Sequence, residues 1–170
     1  MTTQLLHNLE ETKTFAQDFI ANLSPIGDRA TVVGLYGDLG AGKTSFTQGV
    51  AEAFGVSDSV VSPTFVIMKS YEIRDMRQEI LEEDAESNHV SYLTSHVSAF
   101  KNLIHIDAYR LEKSEEMLRL GWQDIISNKE NLVLVEWPER IIGIMPPHIK
   151  IELKHVSNNE REVTVTYTHD

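Results

Sequence analysis

Two kinds of residue in this chain have the types and spacing to do chemistry: a lysine and threonine behind spaced glycines, and two acids that each close an apolar run. Gly37, Gly42, Lys43 and Thr44 complete the pattern G-x-x-x-x-G-K-[ST], filled here as GDLGAGKT. Placed between a strand and a helix, such a turn presents main-chain N–H groups and the positive end of a helix dipole, which together hold a polyphosphate. Glycine lets the backbone approach the phosphate oxygens. Lys43 would reach the β and γ phosphates as a compact charge, and the Thr44 hydroxyl would be a ligand of Mg²⁺.

The acids are Asp107, which ends Leu103-Ile104-His105-Ile106, and Glu136, which ends Leu132-Val133-Leu134-Val135. A strand-terminal carboxylate beside a phosphate loop can hold Mg²⁺, directly or through water, or can orient and deprotonate an attacking water. Either acid could instead cap a neighbouring helix or pair with Arg110 or Arg140. The residues alone leave the two roles undivided between them.

These side chains need elements to carry them. Val32, Val33, Leu35 and Tyr36 form a short apolar run before the loop, of the size of a buried strand. Phe46, Val50, Ala53 and Phe54 recur after it at helical spacing. Upstream, residues 9–23 read as an amphipathic helix with Phe15, Phe19, Ile20 and Leu23 on one face and Glu10 and Glu11 near its start. Val60-Val61-Ser62-Pro63-Thr64-Phe65 is a turn that enters a strand-like stretch over Val66–Ile73, Pro63 favouring an extended Ser62. A helix is predicted from about Ser114, with Ser114 as its N-cap and Gly121 as its stop, followed by a helical turn at Trp122–Ile126. Ile141–Pro147 reads as a connector, and the tail as two alternating strands, Ile149–His155 and Glu162–Tyr167, joined by Ser157-Asn158-Asn159. Alternation of strands and helices predicts an α/β fold: a mostly parallel sheet flanked by helices, with antiparallel strands added at one edge. Ligands of such sheets bind at the carboxyl ends of the strands, where the loop, Asp107 and Glu136 emerge together.

Residues 74–99 interrupt this order. They hold six carboxylates between Asp75 and Glu86 and keep no steady apolar period, so they read as a surface insertion within a single domain, 1–170. His89 and His96 have no carboxylate at ligand spacing and are not read as a metal site.

With 41% hydrophobic and 24% charged residues the chain has the composition of a soluble globular protein. It has no run of 18 apolar residues, so no membrane association is expected. The start, MTTQLLHNLEETKTF, lacks the basic and apolar stretches of a secretion signal. With no cysteine in the chain, a cytoplasmic location is expected. A formal charge of −11 argues against a surface built to grip a nucleic-acid backbone, which draws on many Lys and Arg contacts.

Asn128-Lys129-Glu130-Asn131 comes near the guanine-reading N-K-x-D but ends in Asn, and no D-x-x-G follows the loop, so ATP is favoured over GTP. Small-molecule kinases of this class add an arginine-bearing lid, whereas the seven arginines here are scattered. Hydrolysis is the favoured chemistry. Two alternatives stand beside it: a small-molecule kinase, and a binding module that nucleotide regulates without needed turnover.

Four motifs in order, GDLGAGKT at 37–44, SPTF at 62–65, HIDAYRL at 105–111 and VEWPE at 135–139, resemble those of the bacterial tRNA threonylcarbamoyladenosine biosynthesis ATPase family (TsaE, also called YjeE). The likeness runs from Glu11-Thr12 to the closing strands. It implies a small P-loop ATPase that acts with the threonylcarbamoyl transferase and its inactive paralogue. Together they place a threonylcarbamoyl group on N6 of adenosine 37 (t6A37) in tRNAs reading codons that begin with A, the tRNA being met through the complex. By this resemblance Thr44 and Glu136 hold Mg²⁺, and Gly37 with Gly40, Ala41, Gly42, Lys43, Thr44 and Ser45 holds the ATP phosphates. Asp107 is implied as the acid needed for hydrolysis, with Lys43 and with Thr64 in a switch-like loop facing the γ-phosphate. Trp137 is implied close to the nucleotide, and Leu9 and Arg161 are loosely implied as further contacts. Residues 74–99 look longer than the family's usual connection and are expected to have no catalytic role.

Overall fold

The computed structural model describes residues 1–56, 60–63, 65–73 and 99–167. The expected insertion at 74–99, apart from its last residue, lies outside them, as do His89, His96 and Thr64. Among the described residues seven strands form one sheet in the order β1-β7-β6-β2-β5-β4-β3. They are β1 (Thr2–Leu6), β2 (Thr31–Tyr36), β3 (Met68–Glu72), β4 (Asn102–Asp107), β5 (Asn131–Glu136), β6 (Ile149–His155) and β7 (Arg161–Tyr167). Among the described residues the helices are α1 (Leu9–Ala21), α2 (Lys43–Ala53), α3 (Ser114–Arg119) and α4 (Trp122–Ser127), with a 3₁₀ helix at Pro138–Ile144.

The sheet is mixed, with a parallel centre. β6, β2, β5 and β4 run parallel, β7 and β1 add antiparallel at one edge, and β3 adds antiparallel to β4 at the other. Of the two closing strands, β6 therefore joins the parallel centre and β7 starts the antiparallel edge. The central strands are apolar at nearly every position because both faces are covered. Val33, Leu35, Leu132 and Leu134 enter a core with Ala16, Ile20, Phe46 and Phe54, from α1, α2 and the residue that follows α2. Val32, Val133 and Val135 face the opposite way, toward Leu111, Met117, Trp122 and Ile141.

Several local expectations shift. β1 is not signalled in the sequence: of Thr2–Leu6 only Leu6 is buried, so the strand owes its existence to pairing with β7. α1 ends at Ala21, and Leu23 is buried beyond it. β3 starts at Met68 rather than Val66 because the N–H groups of Val66 and Ile67 turn back to the Pro63 carbonyl, at 2.9 and 2.6 Å. Ser114 is the first residue of α3 and not its cap; the Glu116 carboxylate instead accepts from the N–H groups of Glu112 and Lys113, at 3.0 and 2.9 Å. The stretch read as a connector starts inside the 3₁₀ helix, whose first residue, Pro138, lacks the N–H that a helix start would leave unmet.

Among the described residues no helix is long and apolar enough to cross a membrane.

Candidate functional site

The loop between β2 and α2 owes its path to glycine at two positions. Gly37 has φ +134°, and a Cβ there would stand 2.2 Å from the Leu153 carbonyl oxygen of β6. Gly42, at φ +105°, is the residue from which α2 starts. Both conformations are strained for any L side chain, and at Gly37 the absent Cβ lets the loop pass close to the backbone of β6.

Lys43 folds back into this loop. Its Nζ donates to the carbonyls of Gly37 (2.6 Å) and Asp38 (2.9 Å) and lies 3.9 Å from the centre of the Trp137 ring. Burial holds its ammonium below the ordinary lysine range, partly opposed by Glu136, Glu139, Asp107 and Asp38. Trp137 reaches the lysine through a backbone that a bulky residue rarely adopts, φ 57° and ψ 48°. That left-handed turn separates β5 from the 3₁₀ helix and swings the indole back over the loop. Tyr109 packs on the same indole at 5.1 Å between ring centres.

The acids meet because β4 and β5 are parallel neighbours in a register that pairs Asp107 with Glu136. Each is 3% exposed, far below the norm for a carboxylate and tolerable only because each is hydrogen-bonded. Thr44 Oγ1 donates to the Glu136 carboxylate, 3.0 Å from Oε1 and 3.3 Å from Oε2, and His105 Nε2 lies 2.9 Å from the same Oε1. Asp107 takes the Tyr109 N–H on Oδ1 at 3.0 Å and the Ser62 hydroxyl on Oδ2 at 2.6 Å. Neither role weighed for Arg110 or Arg140 as an acid's partner is seen: their guanidinium groups lie 4.3 Å from the Phe65 ring centre and 5.8 Å from that of Tyr109.

Lys43, Thr44, Ser45, Gly40, Gly42, Asp107, Glu136 and Trp137 line one cavity of about 390 Å³, together with Ser62 and Tyr109. A second, of about 270 Å³, shares Gly40, Gly42 and Ser45 with it and is bounded by Leu9, Thr12, Asn158 and Arg161. The two residues most loosely expected at a nucleotide therefore flank the far side of the loop. Arg161 Nη1 is engaged with the carbonyls of Ser157, Asn158 and Glu160, at 3.1, 3.3 and 2.9 Å, which shapes the hairpin that bounds this cavity. Ala41 is buried at 1% exposure inside the loop rather than lining either cavity. Of the residues expected from the sequence, Thr64 alone lies outside the described positions.

Three contributors carry no chemical signal by themselves. Ser62 and His105 sit inside quoted motifs, but their partners, Asp107 and Glu136, are 45 and 31 residues away. Tyr109 is placed by the turn that Asp107 caps. The Asn128–Asn131 stretch lies at the wrong end of β5: Asn131 opens that strand and Glu136 closes it, about 16 Å apart at the usual rise per residue. It cannot read a base held at the loop.

Thr44 and Glu136 supply a hydroxyl and a carboxylate side by side, the hard oxygen donors that Mg²⁺ takes when phosphate and water complete its shell. Among the described residues no group of three or more acids or histidines forms a cage made of protein ligands. The site suits a cation delivered with a phosphate.

A family model described as threonylcarbamoyl adenosine biosynthesis protein TsaE matches residues 6–163. The tRNA threonylcarbamoyladenosine biosynthesis protein TsaE of Bacillus subtilis strain 168 is 36% identical over 160 residues, 94% of this chain and 81% of its own. The protein of the same description from Rickettsia bellii is 34% identical over 164 residues, 95% of this chain and 92% of its own. Among solved structures, the crystal structure of YdiB from Bacillus subtilis matches with a TM-score of 0.67 at 29% identity, over 99% of this chain and 86% of that one.

Proposed function

Because this chain belongs to the TsaE family, which takes part in forming t6A in tRNA, we propose that it does so as a Mg²⁺-dependent ATPase working in the cytoplasm with partner proteins. The partners are the threonylcarbamoyl transferase and its inactive paralogue, and the product is t6A37 in tRNAs reading codons that begin with A. One observation carries the catalytic part of this reading: Lys43, Thr44, Asp107 and Glu136 converge on a single cavity at the carboxyl ends of parallel strands.

The loop amides from Gly37 to Ser45 receive the phosphate oxygens of ATP, and Lys43 exchanges its two carbonyl partners for the β and γ phosphates. Thr44 and Glu136 would hold Mg²⁺, which would offset negative charge on the phosphates. Asp107, its carboxylate held by the Tyr109 N–H and the Ser62 hydroxyl, orients the attacking water and accepts its proton. The water oxygen bonds to the γ-phosphorus, the bond to the bridging oxygen breaks, and ADP departs with that electron pair. Trp137, Leu9 and Arg161 contact the rest of the nucleotide. ATP donates nothing to the modified adenosine, so turnover resets the partner complex between rounds. The domain is a single unit, 1–170, with 74–99 as an insertion outside catalysis.

Replacing Asp107 tests this reading. Asp107→Ala should bind Mg²⁺-ATP with near wild-type affinity and lose roughly 10²- to 10⁴-fold in hydrolysis, the range of a positioned general base. Repeated tRNA modification in a reconstituted mixture of partners, substrates and tRNA should be lost as well. Normal modification by the variant would overturn the enzymatic reading and leave a nucleotide-regulated binding module. Phosphate transfer from ATP to a small metabolite would favour the kinase.

A further inference from the structure

We infer that His105 is a positioning residue for Glu136, holding its carboxylate in the attitude that receives the divalent cation; the inference rests on the function proposed above. His105 is 0% exposed within β4, paired in register with Leu134 and two residues before Asp107. A carboxylate only accepts hydrogen bonds, so the hydrogen of this 2.9 Å contact belongs to His105 Nε2. Its other ring nitrogen, Nδ1, is buried with no hydrogen-bond partner among the described residues.

An imidazole with one unmet buried nitrogen is a poor choice for stability alone, because an aliphatic side chain fills such a place without desolvating a polar atom. What the imidazole does supply is directional. Among the described residues the hydrogen-bond donors to the Glu136 side chain are Thr44 and His105. Once the Thr44 hydroxyl turns its oxygen to a cation, the bond from His105 is the one left to orient the carboxylate. Asp107, its neighbour in register, otherwise repels it. Groups that ligate metals are commonly held by such outer hydrogen bonds, and losing one costs about 10- to 100-fold in metal affinity.

The test is calorimetric binding of an ATP analogue with an imido bridge between its β and γ phosphates, measured with Mg²⁺ and with EDTA. The ratio of the two affinities is the Mg²⁺ enhancement. His105→Phe and His105→Leu remove the donor; His105→Gln keeps an N–H at similar reach. The donor-less variants should lose about tenfold or more of the enhancement while affinity in EDTA stays as in wild type, and His105→Gln should recover most of it. Thermal unfolding in the absence of nucleotide accompanies each variant. Wild-type enhancement in either folded donor-less variant overturns the inference, as does failure of both to fold, which would make His105 a core residue. A wild-type chain with no Mg²⁺ enhancement overturns the underlying site reading instead.

Discussion

Lys43 carries the sharpest consequence at the scale of single residues. It is buried, bonded to two carbonyls and covered by Trp137, and burial lowers its pKa from the ordinary 10.5. A lowered lysine pKa means the folded chain releases this proton at a pH where the unfolded chain still keeps it. The charged group therefore opposes folding below its folded pKa, and that opposition fades as pH rises from there toward 10.5. Phosphate reverses the preference, since it favours the charged form. In the alkaline window between the lowered pKa and 10.5, nucleotide binding should then take up a proton, and affinity should fall as pH rises. Titration calorimetry in buffers of different ionisation enthalpy reads that uptake directly. Binding with no net proton uptake anywhere in this window would count against Lys43 as the phosphate's cation.

At the scale of elements, the start of α1 reaches the second cavity because α1 lies almost in backbone contact with α2. A Cβ at Gly49 of α2 would stand 2.8 Å from Lys13 Cα, 2.8 Å from the Lys13 carbonyl oxygen and 2.9 Å from Ala16 Cβ. Two effects compete in Gly49→Ala. Helix propensity favours alanine by about 1 kcal/mol, whereas overpacking against a neighbouring backbone costs about 1–3 kcal/mol, and backbone yields less readily than a side chain. Sterics should win, so urea unfolding should show a destabilised variant. Nucleotide affinity should weaken too, because Leu9 and Thr12 of α1, with its N-cap Asn8, line the cavity. A variant as stable as wild type would show that the helices part without penalty.

The whole molecule is a sheet whose parallel centre delivers three separate segments to one end: the loop after β2, Asp107 after β4 and Glu136 after β5. A ligand that ties these segments together stabilises the folded state by mass action. At 100 times its Kd, Mg²⁺-ATP analogue should add about 2.7 kcal/mol, or roughly 5–10 °C in Tm for a domain of this size. Scanning calorimetry of wild type and Lys43→Ala checks it; the variant should show almost none of the shift, and an equal shift in both would dissociate stabilisation from the loop. Under the proposed function, ATP turnover should also be slow in the purified chain and rise when both partners and tRNA are added. Full turnover by the chain without them would remove the case for coupling.

How much of this was legible follows from range along the chain. GDLGAGKT was readable because its chemistry is local: spaced glycines, one lysine and one hydroxyl sit within eight residues, and the strand and helix on either side declare themselves by burial on both faces and by period. Asp107 and Glu136 were readable as acids that close apolar strands, and their meeting followed from the parallel topology. β1 was not, since five residues with one buried side chain have no pattern until β7 supplies a hydrogen-bonding edge. Nor were the bonds from His105 to Glu136 and from Ser62 to Asp107. Each depends on register between strands or on the path of a turn, and register is set by packing across the sheet rather than by neighbours in sequence. The sequence by itself determined which groups could bind phosphate and magnesium. Tertiary structure decided how those groups are held, because the hydrogen bonds that aim a carboxylate come from residues that only folding brings within 3 Å.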